Sequence, residues 1–302
     1  MTDVREEEVD LRAVQGRLRM AIDCWFEQRL AIRDAPAARL HQAICHAAIG
    51  GGKRLRPLLV HASARLFDVP DAYALSAGLA VECIHIHSLI HDDLPCKDDD
   101  DLRHGKPTIH RAFDEATAVL AGDSLLALAF ETLADQATHP DAAVRIELVG
   151  SLARAAGPAG MAGGQMIDVA GFDGPKDIEA ISRLQELKTG ALLGWSVAAG
   201  GILGRACPED RRALAGYARC LGLAFQIADD LLDHEGTVER TGKRVRKDAK
   251  AGKQTFVSLL GASRARQVAI ELADDANANL DRFGKAADLL RAIARFAVNR
   301  DH

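Results

Sequence analysis

The sequence has few aromatic residues and no pattern that is typical of strands. Of its 302 residues, 48% are hydrophobic but only 4% are aromatic. Alanine and leucine dominate the hydrophobic set, which favours closely packed helices over sheets. No run of alternating β-branched residues is present, so we expect an all-α protein.

The cysteines are not paired at a spacing that is typical of metal or redox sites. The six are scattered without a C-x-x-C motif, at Cys24, Cys45, Cys83, Cys96, Cys207 and Cys220. This pattern predicts ordinary thiols in a reducing compartment, and we expect a cytoplasmic protein.

An excess of positive charge is also absent. The formal net charge is −5 and the pI is near 6.1, which argues against a nucleic-acid partner. The acidic residues 1–8 lack the apolar region of a signal peptide. The longest apolar run, residues 191–204, is too short to span a bilayer, so we predict no membrane span.

No repeat, low-complexity tract or Pro/Ser-rich linker divides the chain. Apolar residues recur at helical spacing nearly throughout, which predicts several long helices around a deep central cavity. We expect a flexible N-terminus over residues 1–10 and a single helical domain over residues 11–302. Helices are predicted over residues 11–33, 37–49, 57–67, 72–93, 112–136, 141–156, 159–170, 178–205, 209–234, 254–281 and 286–299.

The chain does contain two aspartate clusters, each at the end of a long apolar stretch. The second consists of Asp229, Asp230 and Asp233. Residues four apart on a helix project from nearly the same face, so Asp229 and Asp233 could face one hard cation. A solvated acidic patch is the alternative for an isolated D-D-x-x-D. Here apolar residues precede and interleave the motif, so the carboxylates border a core.

The first cluster, residues 92–101, holds six aspartates and one lysine, a formal charge of −5. Asp92 and Asp98 are six apart, which on a continuous helix would aim them in different directions. Pro95 disfavours helix for the residue before it, and a turn there could bring Asp98 back beside Asp92. Oxygen ligands without His or Cys at ligand spacing favour Mg²⁺ bridged to a substrate phosphate.

Separate basic segments could balance these carboxylates in a metal–diphosphate complex. Three glycines precede Lys53 and Arg56 at a helix start, which suits an anion, although the same loop could simply be solvated. Further cations lie in residues 103–106, at Lys188 and in residues 240–253, where seven Lys/Arg stand against one Asp.

These motifs, in this order, resemble the all-trans (head-to-tail) isoprenyl diphosphate synthases, in particular the bacterial farnesyl and related geranylgeranyl types. The resemblance covers about residues 40–260. It implies an antiparallel helical barrel that forms a homodimer. The implied enzyme is a Mg²⁺-dependent prenyltransferase that joins isopentenyl diphosphate to an allylic diphosphate. The segments that carry the resemblance are residues 51–57, 91–107, 188–190, 225–233 and 242–255.

The resemblance also implies roles for individual residues. Three Mg²⁺ would be held by the two aspartate motifs, through Asp92, Asp98 and Asp229, with Asp93, Asp230 and Asp233 as further candidates. The allylic diphosphate would be contacted by Arg103, Lys188, Lys243 and Lys253. Isopentenyl diphosphate would be bound by Lys53, Arg56, His85 and His104. Catalytic positions near the reacting carbons would be Lys188, Thr189 and Gln226.

The chain departs from the family pattern at two places. His104 stands where the family usually has a second arginine for isopentenyl diphosphate. A histidine is only partly charged near neutral pH and lacks the guanidinium fork, so binding should weaken. Lys97 stands where an apolar residue is usual. We expect its side chain to face solvent, with screening of the aspartate cluster as the alternative.

Product length in the resembling family depends on an apolar tunnel beside the helix that ends at Asp92. We expect its floor at Cys83, Ile84, His87 and Ser88, with His87 where farnesyl synthases often carry Tyr or Phe. Because histidine is smaller than tyrosine, the sequence favours geranylgeranyl over farnesyl diphosphate. A floor made by another helix or by the dimer partner is the alternative.

Two other functions stay open. A class I terpene cyclase would also be helical and Mg²⁺-dependent. It would need no second diphosphate site, however, and it typically replaces the second D-D-x-x-D with an Asn/Ser/Glu-type motif. A regulatory homologue descended from a synthase would be indicated by loss of an aspartate cluster, and both clusters are present here.

Overall fold

A computed structural model of the protein describes residues 10–31, 37–171, 177–235 and 254–299. Most of these residues are helical, which confirms the prediction of an all-α protein. The expected flexible N-terminus falls, apart from Asp10, outside the described residues. Lys243 and Lys253 also lie outside them.

The described part of the chain contains fourteen α-helices. Their bounds are α1 (Leu11–Arg29), α2 (Ala38–Ala48), α3 (Leu55–Ala64), α4 (Asp71–Asp92), α5 (Ile109–Ala112), α6 (Glu115–Ala134), α7 (Ala142–Ala156), α8 (Met161–Ala170), α9 (Ile178–Gln185), α10 (Ala191–Leu203), α11 (Pro208–Glu235), α12 (Phe256–Leu260), α13 (Ala262–Ala278) and α14 (Asp288–Val298). Short 3-10 segments cover Arg65–Phe67 and Asp281–Ala287.

Two predicted helices are interrupted in the structure. The helix predicted over residues 178–205 contains a turn of π-helix at Glu186–Gly190, between α9 and α10. The helix predicted over residues 254–281 divides at Gly261, whose φ of 76° ends α12 before α13 begins. The apolar period alone did not show these breaks, because it continues on both sides of each.

A small hairpin, which the sequence pattern did not indicate, interrupts the helices after α4. Strand β1 (Leu102–Arg103) pairs antiparallel with β2 (Lys106–Pro107). The two turn residues, His104 and Gly105, have φ values of 51° and 77°, which is the backbone that a two-residue hairpin turn requires. Two-residue strands are too short to leave an alternating pattern in the sequence.

Helices α4 and α6 pack against each other in the largest hydrophobic core. The His91 ring packs over Gly122, where a Cβ would lie 2.1 Å from the ring as it is placed here. Both helices are long and apolar enough to cross a membrane by length and composition alone. Core helices share those properties, and the absence of a membrane span stays a prediction.

Two further hydrophobic cores flank the first one. One joins α3, α10, α11 and α14, and the other joins α9, α11, α12 and α13. Tyr217 of α11 is fully buried in the former and donates a hydrogen bond to the Leu290 carbonyl, 2.8 Å away. Helix α11, which carries the second aspartate cluster, is therefore anchored on two sides.

Candidate active site

A cavity of about 900 Å³ is lined by α3, α4, α8 and α11, and by the hairpin. Asp92, Asp229 and Asp233 reach it from two different helices. Lys53 and Arg56 reach it from the loop and helix start that follow the three glycines. The deep pocket predicted from the sequence is present, and residues of both aspartate clusters and the basic loop lie around it.

The first aspartate cluster follows the end of α4 at Asp92. The chain then turns, and the Asp98 amide donates a hydrogen bond to the Asp92 carbonyl at 3.0 Å. The turn at Pro95 therefore brings Asp98 back beside Asp92, as predicted. The Asp92 side chain lines the cavity, whereas Asp98 is exposed to solvent.

Asp93, an expected metal candidate, pairs with Arg103. The Arg103 Nε lies 3.1 Å from Asp93 Oδ1, and the other end of the guanidinium contacts the same oxygen. Burial raises the pKa of Asp93, and Arg103 opposes that shift. Burial by itself would lower the pKa of Arg103. The negative charges of Asp93 and then Asp100 outweigh this effect, so the pKa of Arg103 is raised. Asp93 therefore positions Arg103 at the cavity wall, which Asp93 also lines, and its expected metal role stays a prediction.

The second cluster divides between the cavity and the core of α11. Asp230 is only 5% exposed, and both of its oxygens accept hydrogen bonds. Oδ1 accepts from Gln226 Nε2 at 2.9 Å, and Oδ2 accepts from the Phe256 amide at 3.0 Å. Asp230 therefore fastens the start of α12 to α11, and its expected metal role stays a prediction. Asp229 and Asp233 face the cavity.

Gln226 and Thr189, two expected catalytic positions, are hydrogen-bonded to each other. Thr189 Oγ1 donates to Gln226 Oε1 at 3.3 Å, and the Gln226 amide is held from its other end by Asp230. Both residues line the cavity beside Asp229. Asp230 thereby fixes which end of the Gln226 amide faces Thr189.

Lys188 reaches the cavity from the π-helical turn. Its Nζ lies 2.7 Å from Asp168 Oδ2 on α8. Helix α8 approaches this turn at Gly164, where a Cβ would stand 2.3 Å from the Lys188 amide nitrogen. The close approach requires a glycine, and it holds Lys188 and Thr189 against the cavity.

The four residues expected to bind isopentenyl diphosphate lie around the same cavity: Lys53, Arg56, His85 and His104. Burial lowers the pKa of Arg56 to about 10, so its guanidinium remains protonated at neutral pH. Burial, and then the charges of Arg56, His104 and further arginines, lower the pKa of His85 well below its ordinary value. His85 is therefore a neutral hydrogen-bonding group at pH 7.

His104 packs against the glycine loop. A Cβ at Gly51 would lie 3.0 Å from His104 Nδ1, so the imidazole touches the backbone that precedes Lys53. Lys106, on the second strand of the hairpin, donates to the Ile49 carbonyl at 2.8 Å. The hairpin is thus tied to the glycine loop, and this contact places His104 beside the basic residues.

Lys97 does not face solvent, so that expectation is wrong. Its Nζ lies 2.5 Å from Asp92 Oδ1, and the lysine is part of the cavity lining. The structure agrees with the alternative, in which the Lys97 charge screens the aspartate cluster.

The residues expected at the tunnel floor differ in position. His87 and Ser88 line the cavity, whereas Cys83 and Ile84 are completely buried and are not part of its lining. Successive side chains point in different directions around α4, and those of Cys83 and Ile84 point into the hydrophobic core. The His87 Nδ1 is hydrogen-bonded to the Gly122 carbonyl at 3.0 Å, and burial lowers the pKa of His87.

Sequence reasoning missed the contribution of α8 to the cavity. Met161, Gln165, Met166 and Val169 line it from this helix, and Leu89 and Phe225 add apolar surface from α4 and α11. Apolar residues at helical spacing predict that a helix has a buried face, but they do not distinguish a face toward a cavity from one toward a core.

The carboxylates that face the cavity fit a Mg²⁺ site in which water and a bound substrate supply the remaining ligands. Within the described ranges, no group of three His, Cys, Asp or Glu side chains converges closely enough to hold an ion by itself. Mg²⁺ usually keeps several waters and is bound through one or two carboxylates and substrate phosphates. Asp92, Asp229 and Asp233 offer the hard oxygen ligands that such an arrangement needs.

An all-α cavity with two aspartate clusters and separate cations defines a class of enzymes that bind diphosphate esters with a metal. The chain belongs to the polyprenyl synthetase family, whose sequence profile matches residues 37–292. Membership confirms the resemblance found in the sequence and identifies the chain as a prenyltransferase.

Three relatives illustrate the similarity. A chloroplastic geranylgeranyl pyrophosphate synthase of Catharanthus roseus is 41% identical over 90% of this chain and 78% of its own. An FPP/GFPP synthase structure from Zymomonas mobilis is 51% identical, with a TM-score of 0.88 over 96% of this chain and 99% of that one. A geranyltransferase from Helicobacter pylori, complexed with magnesium and isoprenyl diphosphate, is 30% identical, with a TM-score of 0.82 over 96% and 97%.

Proposed function

We propose that this protein condenses isopentenyl diphosphate head-to-tail with allylic diphosphates, with Mg²⁺ as cofactor, to give a short-chain product, geranylgeranyl rather than farnesyl diphosphate. The observation that supports the proposal is one cavity lined by two separate groups of charged residues, carboxylates and cations. Carboxylates of α4 and α11 suit a metal-bound diphosphate. Lys53 and Arg56, on a glycine loop, suit a second diphosphate that is bound directly.

The allylic diphosphate would lie between the two aspartate clusters. Asp92, Asp98 and Asp229, with Asp233, would hold three Mg²⁺, which supply Lewis-acid stabilisation of the departing diphosphate. Arg103 and Lys188 are already positioned by Asp93 and Asp168, so their charges need no reorganisation as the allylic carbon–oxygen bond breaks. Lys243 and Lys253 are proposed as further contacts.

Isopentenyl diphosphate would bind at Lys53, Arg56 and His104, with His85 donating a hydrogen bond from a neutral ring. Its double bond attacks the allylic cation, and the product then loses a proton to the released diphosphate. Thr189 and Gln226 would contact the reacting carbons, because they lie beside Asp229 on the cavity wall. The growing chain would extend along the apolar surface of α4 and α8.

The second, metal-free anion site distinguishes this proposal from a terpene cyclase, which uses one diphosphate. Both aspartate clusters and the glycine loop also disfavour a regulatory homologue. We further propose a homodimer in the cytoplasm. Val119 and Leu120 of α6 are exposed apolar residues that a second copy would cover.

A condensation assay tests the proposal. Protein, Mg²⁺ and isopentenyl diphosphate are incubated with dimethylallyl, geranyl or farnesyl diphosphate, and the products are identified by mass spectrometry. We expect geranylgeranyl diphosphate to accumulate, and chelation of Mg²⁺ to abolish it. Formation of a hydrocarbon from an allylic diphosphate alone would identify a cyclase instead.

His104→Arg should lower KM for isopentenyl diphosphate by roughly tenfold, because a guanidinium stays charged and donates two parallel hydrogen bonds to a phosphate. Steady-state kinetics with each substrate varied in turn measures the change. KM for the allylic substrate serves as the internal control and should remain the same. An unchanged KM for isopentenyl diphosphate would show that His104 does not contact that substrate.

His87→Tyr should shorten the product to farnesyl diphosphate and His87→Ala should lengthen it, because the tail of the product cannot share space with a packed side chain. Mass spectrometry of the product distribution measures the effect. Ile84→Val is the matched control, since Ile84 lies on the same helix but does not line the cavity. If both His87 variants keep the parent distribution, His87 is not the floor.

A further inference from the structure

Lys97 forms an ion pair with Asp92, a carboxylate that the proposed metal site needs. Its Nζ is 2.5 Å from Asp92 Oδ1, and the two side chains are only 23% and 17% exposed. The backbone keeps them together: the Lys97 amide donates to the Leu94 carbonyl at 2.9 Å, and the Asp98 amide donates to the Asp92 carbonyl at 3.0 Å. The turn that brings Asp98 back beside Asp92 therefore also delivers an ammonium group to Asp92.

The other cations near this cluster bind different carboxylates. Arg103 pairs with Asp93 and Asp100. Arg111 pairs with Asp99 and Asp101, and it does not line the cavity. Lys97 differs from both, because it pairs with Asp92, the carboxylate at the end of α4 where the metal–diphosphate complex is proposed.

We propose that Lys97 is an internal counterion that competes with Mg²⁺ for Asp92. Without metal, its ammonium neutralises the carboxylate at the end of α4. Asp92 would supply an oxygen ligand to Mg²⁺, and the ammonium at Oδ1 would compete for that oxygen. The two positive groups would also repel each other. This inference rests on the proposed function, since it requires a metal at Asp92.

A higher Mg²⁺ requirement follows from this competition. Each Mg²⁺ that binds at Asp92 must first displace Lys97, so the affinity of the metal–diphosphate complex is reduced by the strength of the ion pair. For a partly exposed pair, that factor is on the order of fivefold. Loss of the lysine charge should lower the Mg²⁺ requirement by the same factor.

The experiment measures metal-dependent binding without turnover. Full-length protein is freed of metal with EDTA, and its Tm is followed as Mg²⁺ is added at a fixed concentration of inorganic diphosphate. We expect the half-saturating Mg²⁺ concentration to fall about fivefold in Lys97→Met. Lys97→Gln, which keeps a polar side chain but removes the charge, should give the same fall and serves if the methionine variant folds poorly.

Arg111→Met is the matched control, because it removes one positive charge that pairs with the same acidic segment, at Asp99 and Asp101, without touching Asp92. Its half-saturating Mg²⁺ concentration should equal that of the parent. An unchanged value in the Lys97 variants overturns the inference, as does an equal fall in the Arg111 variant, which would indicate a general field effect. Diphosphate binding by the parent without any Mg²⁺ dependence would instead overturn the metal site and the proposed function.

Discussion

Asp229→Asn should lower kcat/KM by roughly a thousandfold, and Asp92→Asn should do the same. Each change removes a charged oxygen that would hold the metal where the departing diphosphate develops its charge. Helical content, measured by circular dichroism, should not change, because Asp92 and Asp229 face the cavity rather than the core. Steady-state kinetics over a range of Mg²⁺ concentrations measures the loss.

Asp101→Asn is the control for these variants. Asp101 lies in the same acidic segment, but its carboxylate pairs with Arg111 and does not line the cavity. Its substitution should leave kcat/KM within about a factor of two, as expected for an exposed ion pair. Near-normal turnover of Asp229→Asn at limiting Mg²⁺ would contradict the metal assignment.

Arg54→Met should lower the free energy of unfolding by about 3–5 kcal/mol, the second large effect that we expect. Arg54 is 4% exposed, and its guanidinium lies 2.8 Å from Glu82 and 2.9 Å from Asp23. Without it, Glu82, itself 3% exposed, would keep a buried charge and lose its salt bridge. Urea-induced unfolding of the parent and the variant measures the difference.

Glu82→Gln in the Arg54→Met background should recover part of this loss, because it removes the uncompensated charge. The exposed pair of Arg29 and Glu131 provides the contrast, and Arg29→Met should cost less than about 1 kcal/mol. A loss below about 1 kcal/mol in Arg54→Met would contradict the structural role of this ion pair. That role separates Arg54 from Lys53 and Arg56, its neighbours in the basic segment.

The sequence was sufficient to predict those features that depend on neighbouring residues. The helical period predicted the all-α fold. The four-residue spacing of Asp229 and Asp233 predicted that both would face one side of α11. Pro95 predicted the turn that brings Asp98 beside Asp92. Each of these predictions follows from local backbone geometry, which a short segment determines largely by itself.

Features that depend on contacts between distant segments were missed. Asp230 has the same local pattern as Asp229, but its carboxylate also accepts a hydrogen bond from the Phe256 amide, 26 residues away. Arg103 was expected to be available for a diphosphate, and its pairing with Asp93 required the hairpin, which is too short to predict. The Lys97 contact with Asp92 depends on the exact turn after α4, which the spacing allowed but did not require.

The packing of α8 is the clearest example of a feature that could not be predicted from the sequence. Its apolar residues predicted a buried face, yet Met161, Met166 and Val169 line the cavity. Gly164 allows α8 to approach the π-helical turn that carries Lys188. Neither the close approach nor the turn is visible in residue periodicity, because both arise when the two segments meet.

The central claim is that the two aspartate clusters hold one diphosphate through metal ions while a second diphosphate binds at the glycine loop without metal. A crystal structure with Mn²⁺, an unreactive allylic thiodiphosphate and isopentenyl diphosphate tests it directly, because anomalous scattering locates the metal ions. We expect Mn²⁺ bound to Asp92 and Asp229 and to the allylic diphosphate, and a metal-free diphosphate at Lys53 and Arg56. Mn²⁺ at Lys53 and Arg56, or an allylic diphosphate bound away from both aspartate clusters, would contradict the claim.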